Sequence, residues 1–295
     1  MFAARLRTLP LSISGIVMGT ALGMLAGAFD GQIFFLAILT TVAFQITSNF
    51  ANDYGDGVKG TDSDDRIGPS RALQAGLLSK KSLRNGIVIA SIISLLLVLL
   101  LLYIAFGKEN MVYFIVFTIL GILSVWAALK YTMGDTPYGY KGLGDLSVFL
   151  FFGLLGVLGS QFLYTKMISG PEVLPAIAIG LLCVGVLNLN NLRDVVSDKK
   201  HGKNTLVVQM GFENGKKYHA ALILLSFLAI LGYAFIENIS IWNNWYLLAF
   251  VPIFVHLAKV MRTTEPAKLD GELKKLALST FLLSLLFLIA VNNFL

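Results

Sequence analysis

The sequence predicts an all-α integral membrane protein: nine transmembrane helices in one bundle, with the amino terminus in the cytoplasm and an active site at the cytoplasmic end. Three observations lead there. Of 295 residues, 56% are hydrophobic and only 14% charged, whereas a soluble domain of this length would carry nearly twice that charge. Apolar stretches of the ~20 residues that a bilayer core requires recur along the chain. The Lys and Arg residues, finally, fall almost wholly in alternate connections between those stretches.

The apolar stretches run over 10–29, 32–52, 82–106, 111–130, 145–164, 172–192, 217–236, 243–260 and 272–293. The first has neither a small-residue cleavage site nor a soluble domain behind it, so it reads as a first helix rather than a signal peptide. Asp30-Gly31 and Gly107 to Asn110 are connections short enough to make antiparallel hairpins of the helices they join. With the amino terminus inside, 21 of the 23 basic residues lie on the cytoplasmic side and only Lys108 and Lys166 outside. This asymmetry fixes the orientation and leaves the carboxyl terminus outside. It also accounts for the net charge of +6, so no nucleic-acid partner is expected. The reading is one domain over 1–295, multi-pass in a bacterial cytoplasmic (inner) membrane. The lone cysteine, Cys183, sits in an apolar run and reads as a small buried hydrophobe.

Two polar clusters interrupt the apolar pattern. In the first, Asn49, Asn52, Asp53 and Asp56 stand at offsets that share one helix face. In the second, Asn190, Asp194 and Asp198 are spaced by four, with Asn191 and Arg193 among them. Carboxylates one turn apart repel and are costly at a membrane boundary unless a positive charge lies between them. Hard oxygen ligands of this kind suit Mg2+, which favours a few carboxylates plus substrate phosphates over an all-protein cage. A single Asp at a helix end would be an ordinary interfacial residue; two clusters with repeated four-residue spacing on one side of the membrane are not explained that way.

Lys59, Arg66, Arg71, Lys141, Arg193 and Lys203 lie on the same side as the clusters and could neutralise a diphosphate as it leaves. Lys80, Lys81, Lys216 and Lys217 abut helix starts and read as plain positive-inside residues. The connection from Lys130 to Asp145 combines glycines with aromatic and charged side chains. Tyr138 and Tyr140 suit either the wall of a site for an electron-poor group or anchoring at the interface; Lys141 and Asp145 are expected in the site. His201 follows three residues after Asp198 in a lysine-rich loop and reads as solvated, and His219 and His256 carry no supporting context. Gly153, Gly156 and Gly159 could pack helices within one chain or between two; the oligomeric state is not legible.

These clusters resemble the intramembrane aromatic prenyltransferases. The likeness spans nearly the whole chain: Asn52-Asp53-Tyr54-Gly55-Asp56 with Lys59 to Asp62, Asp65 to Pro69, Pro137 to Asp145, Asn190 to Asp194, and Gly202 to Leu206. The 4-hydroxybenzoate branch of that family usually has a third Asp four residues after the second in its first motif. Here Gly60 stands there and Asp62 follows, a spacing similar to the naphthoate branch. The resemblance implies that Asp53, Asp56, Asp194 and Asp198 hold Mg2+ against a polyprenyl diphosphate, with Asn49, Asn52, Asn190 and Asn191 as further ligands or orienting groups. Lys59, Lys141 and Lys203 would be the leading phosphate contacts. It further implies 1,4-dihydroxy-2-naphthoate as acceptor, decarboxylation after transfer, and demethylmenaquinone as product. Other readings are another acceptor such as 4-hydroxybenzoate, or a secondary transporter, which would place charges near the bilayer midplane.

Overall fold

The computed structural model describes residues 3–60, 67–68 and 71–291. Among them nine helices are long and apolar enough to cross a membrane: α1 (Leu6–Leu25), α2 (Gly31–Lys59), α3 (Lys80–Phe106), α4 (Met111–Lys130), α5 (Gly144–Thr165), α6 (Val173–Arg193), α7 (Phe212–Ile236), α8 (Ile241–Arg262) and α9 (Pro266–Val291). Local chemistry sets their ends. The Asp30 carboxylate accepts from the Gln32 and Ile33 amides to start α2, Ser79 accepts from Ser82 N to start α3, and Gly60 ends α2 at φ 72°, where a side chain would be strained. The chain is a multi-pass membrane protein, as its apolar runs predict.

Two boundaries differ from the sequence reading for a physical reason. α2 continues beyond residue 52 through Lys59, because its polar face turns toward protein and has no lipid to avoid. α7 begins at Phe212 rather than 217, which brings Lys216 inside. Lys216 is not the solvated residue expected: it is buried, and its ammonium donates to the Thr263 carbonyl at 2.9 Å, capping the end of α8.

Packing divides the bundle. One apolar core joins α1, α5, α6, α7, α8 and α9 around Met18, Val157, Ile179, Ile230, Phe250 and Phe287; a smaller one joins α2, α3 and α5 around Ile33, Leu102 and Leu163. Glycines allow the closest crossings. A Cβ at Gly153 of α5 would lie 2.6 Å from Gly180 Cα of α6, so this glycine, one of the small residues flagged in the sequence, serves a contact within the chain. Gly153→Leu has no rotamer that escapes this backbone and is expected to cost about 3 kcal/mol or more; a melting temperature equal to that of the unaltered protein in detergent would contradict the packing.

Polar side chains also tie helices together. The imidazoles of His219 (α7) and His256 (α8) approach to 3.0 Å between Nε2 atoms, and His256 Nδ1 lies 2.9 Å from Glu272 of α9. Lys259 and Lys275 each contact the other Glu272 oxygen at 2.8 Å. These histidines, which carried no context in the sequence, therefore form one buried interhelical network. Their separation along the chain hid it.

Candidate active site

The first cluster occupies the last turns of α2, and the second the last turn of α6 and the short helix Val195–Lys200 behind it. The chain bends at Asp194, yet Asp194 N still bonds to Asn190 O and Asp198 N to Asp194 O, so the four-residue spacing keeps its one-turn meaning. The connections after α2, α4 and α6 meet at the same end. A Cβ at Gly68 would lie 2.6 Å from Arg193, Tyr140 OH donates to Asp56 at 2.6 Å, and Asn204 N donates to Tyr140 O at 3.0 Å.

Each aspartate has a basic neighbour. Asp53, fully buried, pairs with Arg5 and lies 3.9 Å from Arg71 Nε. Asp56 pairs with Arg71 at 2.5 Å, whose Nη1 also donates to the Asn52 carbonyl. Arg193 grips Asp194 through two parallel bonds of 2.8 and 2.7 Å and reaches Asn190 and Asp270 as well. Lys203 Nζ stands 3.7 Å from Asp198. Lys59 and Lys203 both lie over the Tyr140 ring, at 4.8 and 5.7 Å from its centroid, so Tyr140 is the element that holds the two motifs' cations beside each other.

A cavity of about 480 Å³ opens from this end into the bundle. Its polar mouth is lined by Arg5, Asn52, Asp56, Arg71, Asn190 and Lys203, followed by Tyr131 and Tyr138 and then by aliphatic and phenyl side chains of α2 to α5. Tyr138 OH donates to Ala127 O at 2.8 Å and lies 3.0 Å from Ser147. Burial, with Asp145 nearby, pushes the Tyr131 phenol far above its usual range, so this wall is a neutral ring that offers π-density and no charge.

The structure separates some expected site residues from this group. Asn49 is buried, but its amide donates to Ala4 O and Thr8 and accepts from Gln45; it fastens the start of the chain to α2. Lys141 is exposed and is not among the cavity's lining residues. Asp145 is buried against Tyr218, whose hydroxyl donates to it at 3.3 Å; Asn191 is buried and, like Asp53, Lys59, Arg193, Asp194 and Asp198, lies beside the cavity mouth rather than in its wall. Arg66, Asp62 and Asp65 lie outside the described residues. His201 is half-buried, with Nδ1 2.8 Å from Ser197 O. Conversely, Arg5 is in the sequence only one of the 21 cytoplasmic basic residues, yet it reaches the site by pairing with Asp53. Gln45 carried a usable signal, since it stands one turn before Asn49 on the polar face.

Among the described residues no three His, Cys, Asp or Glu side chains converge as a closed metal cage. The donors are carboxylate and amide oxygens flanked by guanidinium and ammonium groups. That set fits an ion shared with phosphate oxygens, as Mg2+ is commonly held.

Comparison with known proteins accords with this architecture. The model of the UbiA prenyltransferase family matches residues 13–285. The chain belongs to the UbiA prenyltransferase family. Among its relatives, the 1,4-dihydroxy-2-naphthoate octaprenyltransferases of Escherichia coli and Haemophilus influenzae are 42% and 43% identical, over 97% and 96% of this chain and 92% of each relative. A UbiA homologue from Archaeoglobus fulgidus, solved bound to DMAPP and Mg2+, shares the fold with a TM-score of 0.67 at 16% identity, covering 98% of this chain and 97% of the other. A second UbiA homologue, from Aeropyrum pernix, also gives 0.67.

Proposed function

We propose that this UbiA-family chain transfers a polyprenyl group from polyprenyl diphosphate to 1,4-dihydroxy-2-naphthoate, with loss of carbon dioxide, in menaquinone biosynthesis. The observation that carries this reading is one cavity whose mouth gathers Asp56, Asn52, Asn190 and three cations and whose interior is apolar. It matches a substrate with a diphosphate head and a hydrocarbon tail. The naphthoate acceptor rests on the two relatives of more than 40% identity. The whole chain, 1–295, would act as one domain in a bacterial cytoplasmic membrane, with the mouth facing the cytoplasm, where the positive-inside rule puts its basic connections.

Mg2+, held by Asp53, Asp56, Asp194 and Asp198 together with substrate oxygens, would supply charge neutralisation of the diphosphate. Asn52 and Asn190 would orient those carboxylates. Lys59, Arg71, Arg193 and Lys203 would contact phosphate oxygens as the allylic carbon–oxygen bond breaks and both bonding electrons leave with the diphosphate. The Tyr131 and Tyr138 rings would face the resulting cation. The ring carbon of the acceptor that bears the carboxylate then bonds to the allylic carbon, and loss of carbon dioxide restores aromaticity.

Purified protein in lipid, given octaprenyl diphosphate and Mg2+ with either 1,4-dihydroxy-2-naphthoate or 4-hydroxybenzoate, tests this. Prenylated product and released carbon dioxide with naphthoate alone, abolished by chelator, are expected. Turnover of benzoate instead would overturn the acceptor, and chelator-resistant turnover would overturn the metal.

A further inference from the structure

The middle of α5, from Phe149 to Gly159, is wound as a π-helix, a rare form that recurs at functional sites. Its consequence is one of register. Ser147, Phe151, Leu155, Gly159 and Leu163 line the cavity, one every four residues, with Val148, Phe152, Gly156 and Ser160 in a second row beside them. In an α-helix a four-residue step overshoots a full turn by about 40°, so such a stripe would have rotated away by about 160° over this span. With about 4.4 residues per turn in i→i+5 winding, the same step falls short of a turn and the drift reverses. Underwinding therefore keeps one line of side chains on the cavity from its polar mouth to its apolar end.

The cavity is long enough for that line to read a hydrocarbon chain. On α2 its lining runs from Asp56 to Ala37, about 28 Å at 1.5 Å per residue. The far end meets an aromatic cluster in which Phe117 packs on Phe106 and Phe162, with centroids 5.3 and 5.4 Å away. Gly159 occupies the stripe just before that cluster. The nearest atoms to a Cβ built there belong to side chains, Leu155 Cδ1 at 3.1 Å and Phe117 Cε1 at 3.7 Å. Gly153, by contrast, is small because a neighbouring backbone demands it. At Gly159 the missing side chain borders cavity.

Resting on the reading of this cavity as the prenyl diphosphate site, we propose that Gly159 is a specificity-determining residue for donor tail length: its lack of a side chain leaves passage between α5 and Phe117 for the distal isoprene units of a long tail. A short donor, whose tail ends beside Phe151 and Leu155, does not use that passage.

The test is the ratio of kcat/KM for octaprenyl to that for geranyl diphosphate, measured in lipid with a common acceptor. Gly159→Leu is expected to lower this ratio about tenfold or more. Phe117→Ala added to Gly159→Leu is expected to restore much of the ratio by reopening the passage from the facing helix. Should Gly159→Leu fail to give folded protein, Leu120→Phe, which narrows the same cavity from α4 one turn beyond Phe117, is expected to lower the ratio in its place. An unchanged ratio, or equal loss with both donors in folded protein, would overturn the proposal while leaving the reaction standing. Absence of turnover by the unaltered protein with any donor would overturn the reaction itself, and this proposal with it.

Discussion

Asp53→Asn is expected to reduce prenyl transfer at least a hundredfold, in the range of about 10²–10³ that removal of one electrostatic contributor at a reacting centre commonly costs. Asp53 is fully buried, at the meeting point of Arg5 and Arg71, so the exchange removes one carboxylate charge with almost no change of shape. It also leaves two guanidinium groups with less negative charge between them, and a lower melting temperature should accompany the lost activity. The informative control is the same exchange at the opposite end of the same helix. Asp30 caps the start of α2, and Asp30→Asn should keep activity within about twofold, since Asn caps nearly as well. Full transfer by Asp53→Asn would dismiss the carboxylate from the reaction; equal losses in both proteins would point to helix stability instead.

A large effect on stability is also expected from Glu272. Its carboxylate is buried and joins His256 to Lys259 and Lys275 across α8 and α9. The two lysines are each more than half exposed, so their share is screened. Breaking the network by Glu272→Leu is nevertheless expected to cost about 2–4 kcal/mol, because His256 and both ammonium groups lose their acceptor. This corresponds to a fall in Tm on the order of 5–10 °C. Lys275→Met, which removes an exposed partner only, should shift Tm far less. A Glu272→Leu protein as stable as the original would mean that the buried network contributes nothing net.

Much of this molecule could be read from its residues because lipid is a strict solvent. A span must be apolar and about 20 residues long, so all nine helices were legible, and the polar stripe of Asn52, Asp53 and Asp56 stood out against that background. What the sequence hid depends on distance along the chain or on winding. Arg5 and Asp53 are 48 residues apart, and His219 and His256 are 37 apart, separations at which no periodicity connects them. Asn49 shares the stripe of the aspartates, yet its neighbours turn it toward the amino-terminal segment. Lys141 lies one residue from Tyr140 but on the outer side of a turn, a distinction that composition cannot carry. The π-winding of α5 has no signature beyond a run of apolar residues and glycines.

The packing of α1 has a consequence for how the protein is made. α1 rests chiefly on α5 and α9, with lesser contacts to α2 and then α6, so most of its packing is against spans synthesised after it. α2, α3 and α4 pack on one another and can associate as they emerge, whereas α1 completes its packing only when the final span arrives. Folding of the first helix is thus tied to completion of the last, a long-range contact of the kind that slows assembly. A chain stopped before α9 would leave the side of α1 that meets α9 facing lipid, and the larger apolar core, which includes Leu283 and Phe287 of α9, could not close.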